Sequence, residues 1–477
     1  MHPVQQIEQP GPAPPRVRSS VAIGLFAFLI HKSRRSGHRG GTDPPKPVMN
    51  TAPSPTSGRS FRLCVLMFLQ FFIWGVWYVP MAKYLGALGF TGTQVGVAYA
   101  ATGLGAMISP FLVGMIADRF FPSQAVLGVL HLLGGTFLVL ASRTAEWNGF
   151  YGFLLLHLIC YMPTLAMANS VLFQTLDDPQ KQAPPIRTLG TIGWIVSGLV
   201  VGGSFLAPEG FRWQVPELLG GAKPPESWKA LGLTNLPLLL GAGASFLLGL
   251  YSFTLPNTPP KLKGRAVGIG DVLGLRALGL LKDPSFAVFI VCSLLLCIPL
   301  SFYYQLTNGY LTAMNVANSE GVMTLGQVSE ILFLLAIPFF FRRIGVKWML
   351  MTGMAFWALR YVLFANASPD LHVLLFLGVL FHGICYDFFF FTGQLYVDQR
   401  APEEVRSGAQ GFIAFVTLGV GMFLGGILAG NWTERHTAEG VIDWPAVWNF
   451  PAMMSVVVLV AFAFLFRDRP QASSPAA

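Results

Sequence analysis

The feature that most constrains this chain is a series of apolar stretches, each long enough to cross a lipid bilayer. A spanning helix needs roughly 20 mostly apolar residues, and about twelve such stretches follow residue 60. They lie at 62–85, 93–116, 124–142, 149–173, 186–207, 235–254, 284–312, 321–341, 346–366, 371–397, 407–430 and 444–466. Hydrocarbon gives backbone groups no partner, so each stretch must satisfy its own hydrogen bonds and is expected to be a helix. The short alternating segments of a membrane β-barrel are missing. Composition agrees. Charged residues make up 11% of the 477, against about 25% in a soluble domain. So little charge cannot solvate a globule of this size. That excludes a soluble enzyme, a nucleic-acid-binding domain and a disordered chain. Forty Phe and 52 Gly fit the same class, since Gly is enriched in membrane helices.

The net charge of +9 is an orientation signal rather than a nucleic-acid footprint. Lys and Arg concentrate on one side of the spans, at Arg119, Lys261, Lys263, Arg265, Arg342, Arg343, Lys347, Arg400 and Arg406. The other side has fewer, among them Lys83, Arg143, Arg212 and Arg435. The richer side is expected to be cytoplasmic, and an even number of spans puts both termini there. The five cysteines, Cys64, Cys160, Cys292, Cys297 and Cys385, all sit in apolar stretches with no CxxC pair. They read as buried thiols, not as a disulfide framework or metal site.

The expected organisation has five parts. Residues 1–61 form a disordered tail rich in Pro, Ser, Arg and Lys. Its apolar run Val21–Ile30 is too short to span and lacks a clear cleavage site. A start of translation at Met49 would leave an ordinary polar tail and make 1–48 an artefact. Detection of a peptide from 1–48 in the native protein would refute that start. Six spans follow over 62–254, a cytoplasmic loop over 255–283, six more spans over 284–468, and a tail over 469–477. The central loop opens with Thr254-Leu-Pro-Asn-Thr-Pro-Pro260, which stops a helix. Its segment Asp271–Leu281 reads as an interfacial amphipathic helix. Gly268-x-Gly270 has the wrong spacing and context for a nucleotide loop.

The two sets of six spans echo each other. Span 5 begins Ile186-Arg187-Thr-Leu-Gly-Thr191-Ile-Gly193-Trp194, and span 11 begins Val405-Arg406-Ser-Gly-Ala-Gln410-Gly411-Phe412. Each runs on to a Gly pair, Gly202-Gly203 and Gly425-Gly426. A parallel duplication of six spans places a substrate site between the halves near the midplane, and small residues allow close helix approach. The loop after span 2 reads Gly114-Met-Ile-Ala-Asp118-Arg119. It resembles the G-x-x-x-D-R loop of the major facilitator superfamily, whose charged pair bridges the halves in one state and releases in the other.

Ionisable groups inside a membrane are costly, so they are site candidates by default. Arg187, Thr191 and Trp194 share one face of span 5, offering a charge, a hydroxyl and a large ring, although Arg187 near the start of the span also fits an interfacial residue that snorkels. Gln327 and Glu330 share a face of span 8. In span 10, His382 and Tyr386 stack one turn apart, with Asp387 about 100° round. Asp387 precedes Phe388–Phe391, and an acid in such surroundings is a candidate for proton exchange. His382 also fits a satisfied core position. In span 7, Pro299 is followed by Ser301-Phe302-Tyr303-Tyr304-Gln305-Leu-Thr-Asn308. Those polar groups either re-satisfy carbonyls freed by the proline or line a cavity. Arg360 in span 9 has no same-helix partner and reads as structural. Amides and carboxylates suit sugar hydroxyls, and the rings of Trp194, Tyr303, Tyr304 and Tyr386 suit a flat base. A nucleoside needs both, although a simple sugar also uses aromatic faces.

Several stretches together resemble the nucleoside:proton symporter family of the major facilitator superfamily. They are Phe68-Leu-Gln-Phe-Phe-Ile-Trp-Gly75, Tyr161-Met-Pro-Thr-Leu165, Pro184-Pro-Ile-Arg-Thr-Leu-Gly-Thr-Ile-Gly193, Gln327-Val-Ser-Glu330 with Ile337-Pro-Phe-Phe340, and Tyr386-Asp-Phe-Phe389. The resemblance covers about 62–468. It implies an all-α polytopic membrane protein of twelve helices in two halves, importing nucleosides with protons across the cytoplasmic (inner) membrane by alternating access. It implies nucleoside contacts at Arg187, Thr191, Trp194, Gln327, Glu330, His382, Tyr386 and Asp387. Trp194 stands where enterobacterial relatives carry Phe, His382 where they carry Tyr, and Tyr386 where they carry Phe. A Gln and Asn pair of span 7 in those relatives is replaced here by Ser301 and Tyr304. Asp387 is expected to carry the proton and Glu330 to hold substrate, or the reverse. The partners implied are a nucleoside, a proton and the lipid bilayer around a monomer, with no cofactor, metal or nucleic acid. The rival readings are a transporter of another solute, such as a sugar or modified nucleoside, and a non-transporting membrane receptor. An enzyme is not expected, since no nucleophile–base pair, metal cluster or phosphate loop is evident.

Overall fold

The computed structural model describes residues 55–112, 120–216, 219–260 and 275–468. The switch loop with Gly114, Asp118 and Arg119, most of the central loop, the proposed start at Met49 and the tail 469–477 lie outside them. The chain is helical nearly throughout. Among the described residues, nine helices are long and apolar enough to cross a membrane. They are Gly58–Ala87 (span 1), Ser123–Ser142 (span 3), Trp147–Thr175 (span 4), Lys181–Gly202 (span 5), Pro284–Ala313 (span 7), Ser319–Ala365, His372–Arg400 (span 10), Gly408–Arg435 (span 11) and Trp444–Leu465 (span 12). Gly92–Leu112 is span 2, and the shorter apolar helix Leu236–Ser252 is span 6. The 47-residue Ser319–Ala365 is two spans joined end to end. It breaks at Gly345, whose φ of 72° and ψ of 177° are not helical. A residue with a Cβ is strained there, so glycine makes the corner between spans 8 and 9. The twelve spans expected from the sequence are thereby present.

Two features were not legible in the apolar pattern. After span 5 the chain forms a small antiparallel sheet. Strand β1 (Ser204–Ala207) pairs with β2 (Gly210–Trp213) on one side and β3 (Lys229–Ala230) on the other, with Ser204 opposite Trp213. In the central loop, the described part of the expected amphipathic helix is a 3-10 turn, Leu275–Lys282.

Each half has its own apolar core. One gathers Leu66, Trp77, Leu127, Leu154, Leu172 and Leu248, contributed by spans 1 to 6. The other gathers Phe289, Trp357, Phe364, Leu375, Val397 and Trp448, from spans 7 to 12. Trp194 and Tyr304 pack against both, which places them at the seam. The large side chains left exposed, such as Leu250, Leu332, Val457 and Phe464, suit a bilayer, where apolar surface needs no further cover. All five cysteines are free.

The contacts across the seam cluster at the end expected to face outside. Span 2 crosses span 11 with no room for side chains. A Cβ on Gly96 would stand 2.5 Å from Gly426 O and 2.7 Å from the Gly430 Cα. Close by, Thr93 N donates to Glu434 Oε2 at 2.7 Å, and Thr93 Oγ1 to Asn431 Oδ1 at 3.1 Å. Lys83, at the outer end of span 1, pairs with Glu320 at the start of span 8 at 2.8 Å, and both side chains are nearly buried.

Candidate functional site

Span 7 carries the aromatic part of the site because Pro299 interrupts the helical ladder one turn before Tyr303 and Tyr304. The proline's own carbonyl accepts from Tyr361 Oη at 2.5 Å. Tyr304 stands edge-on to Tyr78 of span 1, with ring centroids 6.0 Å apart. Tyr78 in turn meets Trp194 of span 5 at 6.5 Å, and Trp74 meets Trp194 at 5.5 Å. On the other side, His382 packs edge-on to Tyr304 at 6.1 Å and against Tyr386 at 5.4 Å. A continuous run of rings therefore crosses the seam from span 5 through spans 1 and 7 to span 10. Such pairs add about 0.5–1.5 kcal/mol each beyond area burial, so the run is a stiff wall.

The carboxylates sit against that wall. Spans 8 and 10 are drawn together by Gly326 and Gly383. A Cβ on Gly326 would lie 3.0 Å from the His382 Cβ, and one on Gly383 would lie 2.5 Å from the Ser329 carbonyl carbon. Ser329 Oγ accepts from Gly383 N at 2.9 Å. This clamp sets the Glu330 backbone against span 10, where a Cβ on Gly383, four residues before Asp387, would lie 2.6 Å from Glu330 N. Glu330 is half-buried. Asp387 is buried, and its Oδ2 has no hydrogen-bond partner. It opens a π-helical turn, Asp387–Phe391. Such turns displace a side chain from the α-helical register and are frequent at functional sites. An orphaned carboxyl oxygen in an apolar setting is costly, which favours a group that exchanges a proton or meets a ligand.

The remaining candidates fall in different places. Gln327 is buried one turn before Glu330. Thr191 and Trp194 are half-buried, and Arg187 is exposed near the inner end of span 5. Ser301 is buried in span 7. Its Oγ donates to Cys297 O at 2.9 Å and touches Met422 Sδ at 3.4 Å, so it packs span 7 against span 11. Among the described residues no cluster of three or more His, Cys, Asp or Glu is placed to hold a metal.

Sequence reasoning missed the outer network. Glu320 Oε1 accepts from Lys83 Nζ at 2.8 Å and from Asn308 Nδ2 at 3.2 Å. Asn308 Nδ2 also donates to Val79 O at 3.1 Å, and Ser319 Oγ donates to Asn308 Oδ1 at 2.5 Å. Lys83 stands only among the basic residues of the charge-poorer side. The available signal was Asn308, a polar residue at the far end of an apolar span.

Comparison with known proteins shows the family and the fold. A family model described as nucleoside H+ symporter matches residues 58–471. The putative nucleoside transporter YegT of Escherichia coli is 43% identical over 416 residues, covering 85% of this chain and 93% of its own. The nucleoside permease NupG of Escherichia coli is 32% identical over 423 residues, covering 85% and 95%. The crystal structure of nucleoside transporter NupG superposes with a TM-score of 0.74 at 31% identity, over 86% of this chain and 99% of that one. The chain belongs to the nucleoside H+ symporter family.

Proposed function

We propose that this protein imports nucleosides together with protons across the cytoplasmic (inner) membrane, by alternating access, with both termini in the cytoplasm. The observation that carries the reading is the placement of Glu330 and Asp387, on two clamped helices, beside the ring wall of Tyr304, His382 and Tyr386. Flat aromatic faces take a base, and the carboxylates with Gln327 take ribose hydroxyls. Arg187, Thr191 and Trp194 supply the facing side from span 5, and Tyr304 borders the site from span 7. Ser301 acts through the packing of span 7 on span 11.

Proton coupling follows from charge. A carboxylate is expensive in a membrane interior, and protonation removes that cost. We assign Asp387 the proton and Glu330 the substrate contact. The protonated, loaded carrier closes around substrate, and the halves rock about the site, with the loop at Gly114, Asp118 and Arg119 as the inner switch. Each chain holds both halves of the site, so a monomer is sufficient.

The test is uptake of labelled uridine by cells lacking their own nucleoside transporters, with and without a protonophore. Uptake that the protonophore abolishes is expected. Uptake that persists would remove proton coupling. A competition panel of purine and pyrimidine nucleosides and simple sugars reads the solute class, and displacement by sugars alone would overturn the nucleoside assignment. Ligand binding without flux would make the protein a receptor.

A further inference from the structure

Among the described residues, no carboxylate forms an ion pair with Arg360 of span 9. Arg360 is fully buried. Its Nε donates to Gly378 O at 2.8 Å, but neither terminal nitrogen has a hydrogen-bond partner. The rings of Tyr303 and Tyr361 are the cation–π partners of its guanidinium, at 3.9 and 6.0 Å from their centres. A desolvated guanidinium gains more from an aromatic face than an exposed one does, so Tyr303 is held firmly in plane. The Tyr303 ring also lies parallel to that of His382, with centroids 5.0 Å apart and planes within 15°. Three spans, 9, 7 and 10, thus contribute one stack, Arg360 on Tyr303 on His382.

The stack ends at the candidate site. His382 touches Tyr304 and Tyr386, and its buried Nδ1 has no hydrogen-bond partner. Nothing else in its surroundings fixes the ring by a hydrogen bond to that atom. The ring of Tyr303 acts here rather than its hydroxyl, which also lacks a partner.

Building on the nucleoside reading, we propose that Arg360 and Tyr303 are positioning residues. Their stack sets the plane of the His382 ring, and so the affinity of the site for the nucleobase. Orientation fixed before binding spares the ordering cost that a loose ring would incur.

The test is uridine uptake kinetics for Tyr303→Leu, Tyr303→Phe and Arg360→Met, each alone and in a His382→Ala background. Tyr303→Leu and Arg360→Met are expected to raise KM by about tenfold at nearly unchanged maximal rate, the pattern of lost binding before chemistry or movement. Tyr303→Phe, which keeps the ring, is expected to recover most of that loss. In the His382→Ala background the same changes should add less than about twofold, because coupled residues are non-additive. An unchanged KM in both variants, or full additivity with His382→Ala, would overturn the proposal. A second measurement guards against misfolded variants. In wild-type protein with labelled histidine, a His382 ring proton shifted by the Tyr303 face is expected, assigned by its loss in His382→Gln. A free-histidine position for that proton would overturn the stack without any transport data. Wild-type protein that takes up no uridine would strike the function reading instead, and the ring-proton signal still decides the stack.

Discussion

The environments of Glu330 and Asp387, the two carboxylates of the proposed site, differ. Asp387 is buried with an orphaned oxygen, whereas Glu330 is half-buried on the facing helix. Glu330→Gln and Asp387→Asn are both expected to abolish pH-driven accumulation, read as the protonophore-sensitive part of uridine uptake. For Asp387→Asn, exchange of labelled for unlabelled nucleoside should survive, because an amide mimics the neutral acid without carrying a proton. Full pH-driven uptake by either variant would remove that residue from the coupling step. Trp194 has a different place. It joins the ring wall from the opposite half, so Trp194→Ala should lower affinity for the base, seen as a raised KM, by about the 1–3 kcal/mol typical of a lost stacking ring.

At the scale of elements, close helix approach decides where the site can form. The crossing of spans 2 and 11 has backbone where side chains would sit. Gly96→Val would drive a side chain into Gly426 O and the Gly430 Cα. Overpacking forces side chains off their rotamers and shifts backbone, at a cost of about 1–3 kcal/mol. The variant is expected to lose uptake while remaining folded, as read by size-exclusion profile, because only the closed outer end needs that contact. A smaller effect belongs to the start of span 4. Glu146 caps it, accepting from Asn148 N and Gly149 N at 2.9 Å each. Those N–H groups hold its carboxyl below the usual carboxylate range. A depressed folded pKa stabilises above the unfolded pKa and is lost as pH falls through the folded value. Glu146→Ala should therefore lower the melting temperature near neutral pH, with the difference from wild type shrinking on acidification.

For the molecule as a whole, a small set of bonds ties the halves together at the end expected to face outside. Removing one partner of a buried pair typically costs 3–5 kcal/mol, since the other charge is left unpaired. Lys83–Glu320 is such a pair at 2.8 Å. Glu320→Gln is expected to open the outer end, seen as faster labelling of a cysteine introduced beside Tyr78. Unchanged labelling would remove this pair from the gate. A complementary experiment fastens the gate. Thr93 and Asn431 approach to 3.1 Å, so a Thr93→Cys, Asn431→Cys pair in a background without native cysteines should cross-link and stop transport, with reductant restoring it. Transport through the cross-linked protein would show that these ends need not part.

The number of spans, the pairing of halves and the residues that resemble the family follow from local rules. Bilayer thickness dictates apolar length, and a charge inside such a stretch is conspicuous by its cost. Glu330, Asp387, His382 and Arg187 stand out for that reason in a linear reading. Their distances from one another do not, because they depend on helix contacts far apart in the chain. Gly326 and Gly383 look like any other small residues until spans 8 and 10 meet. The π turn at Asp387 leaves no mark in hydropathy. Ser301 and Tyr304 are equally polar members of one helix, yet packing turns Ser301 to span 11 and Tyr304 to the seam. Arg360 shows the same limit most plainly: a lone cation in a span read as structural, and the fold sets it over Tyr303 and, through that ring, behind His382. Periodicity specifies which residues enter the membrane. Which of them face one another is settled by packing between helices, whose contacts are non-local.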